Sequence, residues 1–232
     1  MKGYLFKDFY LNYGTLIVVI ATQLACSAVC IVFGLLANEK EFLNFVCTIF
    51  SFLVFVLAQF SSQMVFKNDE RHSWLSFSAS TPQTFKGQVG SKYIFMFTVN
   101  VIVLLFGFAT NAICSAISSE SLELWGIVFF FAAYTILNAI KFPFIFRFGS
   151  DVGARGDIAI ISVIVMAVVV YFLFGDISFV NLDDPFGSII EFLNNDGLEK
   201  TIIVILCASL PIYFVSYLIS LKVSKKGIEN FE

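Results

Sequence analysis

The sequence predicts an all-α membrane protein with six transmembrane helices, and three observations predict it. Hydrophobic residues make up 59% of the chain and charged residues only 13%, whereas a soluble globular protein is nearer half apolar and a quarter charged. Apolar runs of about 20 residues recur, each long enough as a helix to cross a hydrocarbon core of roughly 30 Å. The cations are crowded into alternate gaps between those runs. Residues 1–232 read as a single membrane domain.

The chain opens on an interfacial helix, from Met1 to Tyr13. Leu5, Phe6, Phe9, Tyr10 and Tyr13 share a broad apolar face, with Lys2 and Asp8 turned to water and Gly14 interrupting the pattern. Lys2, Lys7 and Asp8 stand among aromatics with no small-residue cleavage site, so no cleavable signal peptide is expected. The spans are expected at about 16–36, 42–66, 93–117, 124–142 (ending near Pro143), 158–174 and 201–221. An even number of crossings puts both termini on one side. With the termini inside, the inner segments hold twelve of the fourteen Lys and Arg and the outer loops only Lys40 and Lys200. The positive-inside rule therefore makes the termini cytoplasmic.

Two connecting segments carry more than a linker needs. Between spans two and three, Asp69, Glu70, Arg71 and His72 form a charged and polar knot, followed at once by Trp74, Leu75 and Phe77. Thr81-Pro82 then reads as a helix start, a hydroxyl N-cap followed by proline. Two readings fit: a short amphipathic element that points Trp74 and Phe77 at a partner, or a loop whose aromatics rest at the bilayer interface. Between spans five and six, Asp184-Pro185 can open a helix in which Phe186, Ile189, Ile190 and Leu193 form one stripe. That predicts a helix on the outer leaflet.

Catalytic signatures are missing from the sequence. There is no Walker A, HExxH or GxSxG, and Gly87-Gln88-Val89-Gly90-Ser91-Lys92 has the wrong spacing for a phosphate loop. No cofactor or metal is expected in this chain. The spans contain no Asp, Glu or Arg, and their one lysine, Lys141, stands near an inner end. Ion-coupled carriers place ionisable groups near the midplane, so a secondary carrier is disfavoured. Gln23, Gln59, Asn100, Asn111 and Asn138 do lie within spans, either bonding neighbouring helices or lining a pathway. Gln23, Asn100 and Asn138 are the candidate lining residues. Cys26, Cys30, Cys47, Cys114 and Cys207 read as small packing residues, with a Cys47–Cys114 disulfide as the alternative. Thirty Phe residues suit an apolar or amphipathic cargo better than an ion.

These features resemble a family. In bacterial ABC exporter permeases of the type-2 class, a D-E…W segment after span two is followed by S-L-P-x-S-R and then V-x-S-K-Y. Here Asp69-Glu70, Trp74, Ser80-Thr81-Pro82, Val89 and Ser91-Lys92-Tyr93 stand in those places. Pro143…Phe148-Gly149…Gly153…Arg155 is similar to the P-x-x-x-x-F-G-x-x-x-G-x-R that follows span four, and Met1-Lys2-Gly3…Lys7-Asp8 is similar to the family's start. Thr81, Thr84 and Phe85 depart from the usual Leu, Ser and Arg. Within the class the chain looks most like the permeases of the staphylococcal exporter of phenol-soluble modulins.

The resemblance implies an N-terminal elbow helix, and a cytoplasmic coupling helix between spans two and three. It further implies a bacterial cell-membrane location and a second copy or paralogue as partner. A cytosolic ABC ATP-binding subunit would hold ATP and Mg, docked through Asp69, Glu70, Arg71, Trp74 and Phe77. Membrane lipid and an amphipathic peptide cargo complete the expected partners, and no nucleic acid is among them. The competing reading is a stand-alone immunity or interaction protein that sequesters a toxic peptide.

Overall fold

The computed structural model describes residues 2–36, 41–71, 84–118, 124–152 and 196–229, together with 155, 156, 159, 162, 166 and 170. All regular structure among them is helical: α1 (Lys2–Leu11), α2 (Tyr13–Leu36), α3 (Glu41–Arg71), α4 (Thr84–Ser118), α5 (Trp125–Phe148) and α6 (Asp196–Glu229). Five of these, α2 to α6, are long and apolar enough to cross a membrane. The fifth expected span, 158–174, falls mostly outside the described residues, where Ala159, Ser162, Met166 and Val170 are helical and exposed. Residues 72–83, with Trp74 and Phe77, and the expected outer helix with its 186–193 stripe also lie outside them.

Side-chain pairs fix the helix directions. Cys47 meets Cys114 and Ser61 meets Met96, so α4 runs against α3. Phe52 packs on Phe130, Phe55 on Tyr134 and Phe66 on Phe142, so α5 runs with α3. Tyr93 reaches Ser216 and Ser220 while Phe97 packs on Tyr213, so α6 runs against α4 and therefore alongside α5. Hence α1, the C-terminal end of α5 and the C-terminal turns of α6 lie at one end of the bundle. Small residues let the helices approach: a Cβ at Gly107 would stand 3.3 Å from the Ile127 side chain, and Ser27 bonds Thr110 across α2 and α4 at 2.7 Å.

Helices outrun their apolar stretches. Span two was expected to stop at Phe66 and span three to start at Tyr93, yet α3 continues to Arg71 and α4 begins at Thr84. Hydropathy marks where lipid ends; the backbone stays helical beyond it because those polar turns pack against α1. Similarly, α5 passes through Pro143 to Phe148. Proline has no N–H to give the carbonyl four residues back, which leaves Ala139 O short of a partner. Ser216 Oγ of α6 donates to it. Since Ser216 has one proton, Tyr93 must donate to Ser216 (2.6 Å), leaving Ser220 to donate to Tyr93 (2.8 Å). A directional chain of hydroxyls thus joins α4, α5 and α6.

Two details of α1 differ from expectation. The break before α2 falls at Asn12, whose Nδ2 bonds Asp8 O at 2.8 Å, while Gly14 is inside α2. Asp8 is fully buried rather than turned to water. The exposed aromatics are Phe6, Tyr10 and Tyr13, with Phe6 stacked on Tyr10, whereas Phe9 turns inward onto Phe95 at 5.0 Å.

The hydroxyl chain carries a testable cost. Ser216→Ala leaves Ala139 O unpaired and should lower the stability of purified protein by about 1 kcal/mol. Ser209→Ala removes only a bond to Leu206 O of its own helix, so in a thermal melt it should cost clearly less. Equal melts for the two variants would show that the cross-helix bond is not holding the proline turn.

Candidate functional site

At the α1 end of the bundle four charged side chains form a closed square. Lys7 Nζ lies 2.6 Å from Asp69 Oδ1 and 3.2 Å from Asp8 Oδ1. Lys92 Nζ lies 2.7 Å from Asp8 Oδ1 and 2.7 Å from Asp69 Oδ2. Each ammonium therefore touches both carboxylates. Two further contacts complete the surroundings: Ser91 Oγ donates to Asp8 Oδ2 at 2.6 Å, and Lys92 Nζ also reaches Val65 O at 3.2 Å. The Phe66 ring covers the Lys92 ammonium, 5.7 Å from ring centre to Nζ. Next to the square, Asn68 Nδ2 donates to Asn12 Oδ1 at 3.0 Å.

Three elements supply these groups: Lys7 and Asp8 come from α1, Asp69 from the last turn of α3, and Ser91 and Lys92 from the early turns of α4. Their burial is close to complete, with Lys92 1% and Asp69 3% exposed. Desolvating single ions costs several kcal/mol each, so such charges survive only when paired and hydrogen-bonded. Here two acids and two bases sum to zero, and the square holds only while all three elements are in place. Because each ammonium is shared between both carboxylates, displacing one member disturbs the contacts of the others.

A second joint lies alongside. The Glu70 carboxylate accepts from the backbone N–H of Ser150 at 2.6 Å and from the Ser150 hydroxyl. Gly149 makes this possible: its φ of +90° turns the chain out of α5, and a Cβ there would stand 3.3 Å from Glu70 Oε1. The sequence stretches 7–8, 69–70, 91–93 and 149–150 therefore meet at one end of the molecule, though up to 143 residues separate them (150 − 7).

The profile of the family described as ABC-2 family transporter protein matches residues 4–225. The chain belongs to that family. No curated protein and no solved structure matches it. As an ABC-2 permease it is a multi-pass component of membrane transport, and its family implies a separate ABC ATP-binding subunit as partner.

The residues singled out from the permease's sequence are distributed as follows. Asp69 and Glu70 are occupied within the chain, by the charge square and by Ser150, while Arg71 is exposed. Trp74 and Phe77 lie outside the described residues. Gln23, Asn100 and Asn138 are buried, each with a side-chain amide atom lacking a hydrogen-bond partner. Lys141, expected near an inner end, is buried and donates to Ser62 Oγ of α3 at 2.8 Å. The square itself was not anticipated from the sequence. One signal for it existed: Asp8 stands one turn from Leu5 and Asn12 on the inward face of α1, where an acid needs a cation.

Breaking the square exposes its energetics. Asp8→Asn leaves Lys92 one carboxylate instead of two, and should cost on the order of 3 kcal/mol of unfolding stability. Adding Lys92→Met removes the stranded cation and should recover part of that loss, a non-additivity diagnostic of direct contact. Strictly additive losses in a denaturant titration would argue that the two groups do not share a buried pair.

Proposed function

We propose that this ABC-2 permease is the transmembrane subunit of an ATP-driven exporter in the bacterial cell membrane, with both termini cytoplasmic. Two copies, or one copy and a paralogue, form the pathway. Each docks a cytosolic ATP-binding subunit through a coupling helix between α3 and α4, and ATP and Mg reside on that subunit. The observation that carries the proposal is the charge square at the two roots of this connection. The end of α3 and the start of α4 are tied to each other and to α1, which acts as an elbow helix. Glu70 adds the turn after α5. A push on the coupling segment therefore moves four elements together. Through Tyr93, adjacent to Lys92, the push also reaches α5 and α6.

Six crossings are in keeping with the directions of the helices: α5 and α6 run the same way, and a sixth span between them would return the chain once. The cargo is an amphipathic peptide of the phenol-soluble modulin kind, in keeping with thirty Phe residues and with spans poor in charge. Gln23, Asn100 and Asn138 line the pathway when the helices separate, which gives their unpartnered amide atoms water or cargo to bond. Arg71 joins Trp74 and Phe77 at the docked face; Asp69 and Glu70 hold that face in position from behind.

Orientation is tested by single cysteines in a Cys-free background. Ser188→Cys should react with an impermeant thiol reagent on intact cells and Ser78→Cys only after lysis; the reverse pattern would invert the topology. Docking is tested by truncating the aromatic pair. Trp74→Ala with Phe77→Ala should leave the permease inserted but weaken ATP-binding-subunit capture by roughly tenfold or more, and abolish cargo-stimulated hydrolysis. If that variant still protects cells from the peptide and the wild type captures no ATP-binding subunit, the protein is a sequestering immunity factor.

A further inference from the structure

A cluster of thiols lies away from the charge square. Cys47 Sγ of α3 and Cys114 Sγ of α4 are 3.1 Å apart, both free and both sealed from solvent. Cys30 of α2 completes the cluster, and Val46 and Phe50 pack against it. All three cysteines lie within the last or first turns of their helices at the far end of the bundle. A disulfide needs its sulfurs at about 2.05 Å, so closure asks for a movement of about 1 Å. Buried cysteines placed only for packing have no need to aim two sulfurs at one another.

We propose that Cys47 and Cys114 are a redox-active dithiol that a neutral peroxide converts into a disulfide, stapling α3 to α4. A charged reagent would have to shed its water to reach this apolar site, so the oxidant is taken to be neutral hydrogen peroxide. One sulfur attacks the peroxide, the O–O bond breaks, the thiol proton passes to the leaving hydroxide, and a sulfenic acid and one water form. The second thiol then attacks the sulfenic sulfur, the S–O bond breaks, and a second water leaves. Two thiols and one peroxide thus give one disulfide and two waters. The link consumes one thiol from each helix, so loss of Cys47 or of Cys114 abolishes it. Because α3 and α4 flank the coupling segment, a staple at their far ends prevents them from separating there. That consequence rests on the exporter reading; the dithiol chemistry does not.

The test uses membranes carrying the full chain. Hydrogen peroxide is applied, the protein is denatured and alkylated, and thiols are counted by peptide mass spectrometry. The wild type should fall from five free thiols to three, with a Cys47–Cys114 linked peptide that dithiothreitol reverses. Cys47→Ser should keep all its remaining thiols, and Cys30→Ser should still form the link. Five thiols surviving in the wild type, or a link made through exposed Cys207, overturns the proposal. In the complex with its ATP-binding subunit, peroxide should stop cargo-stimulated hydrolysis in the wild type and spare Cys47→Ser. A formed link with unimpaired hydrolysis overturns the staple's effect on movement. Absence of stimulated hydrolysis before any peroxide counts against the exporter reading and leaves the thiol result standing.

Discussion

The organisation of this permease depends on the pairing of two lysines with two aspartates in a place where Asp8, Asp69 and Lys92 are shut off from water. Lys7, Asp8, Asp69 and Lys92 are mutually neutral, and each is held by two of the others or by one of them and a hydroxyl or carbonyl. An apolar contact tolerates sliding; a buried ion pair does not, because a displaced charge loses its partner before it gains water. Thus the square makes α1, the end of α3 and the start of α4 a single rigid joint.

Farther into the bundle, cohesion is of a different kind. Lipid is as apolar as the helices, so burial of Leu and Phe gives little net drive for helices to associate. What distinguishes one packing from another is close approach and polar pairing. The permease uses both: Gly107 against Ile127 and Ser51, Ser27 with Thr110, Lys141 with Ser62, and the hydroxyl chain from Ser220 through Tyr93 and Ser216 to the carbonyl left bare by Pro143. Aromatic rings fill the space between these contacts, with Tyr93 edge-on to Phe142 at 4.8 Å and to Tyr213 at 5.0 Å.

The helical membrane class and the approximate positions of five spans were legible in the sequence because hydropathy is a local property. Helix ends were not, since hydropathy reports the lipid boundary while α3 and α4 extend beyond it on tertiary contacts with α1. Pro143 read as a stop for the same reason, its compensation lying 73 residues away in Ser216 (216 − 143). Asp69 read as a surface charge because acids usually are, and only the meeting of three elements shows it paired. Asp8 was turned the wrong way by a helical-wheel argument that counted apolar neighbours but not the cation opposite. The contact between Cys47 and Cys114 was one alternative among others until α3 and α4 were aligned.

The long sequence separation of the charge square bears on how the protein is made. Asp8 and its partner Lys92 are 84 residues apart, and synthesis at about 5–20 residues per second puts about 4–17 s between their appearances. Lys7 can meet Asp69 within that interval, but the square is one cation short until Lys92 is made. Neutralisation comes only with the beginning of α4, and the joint closes late.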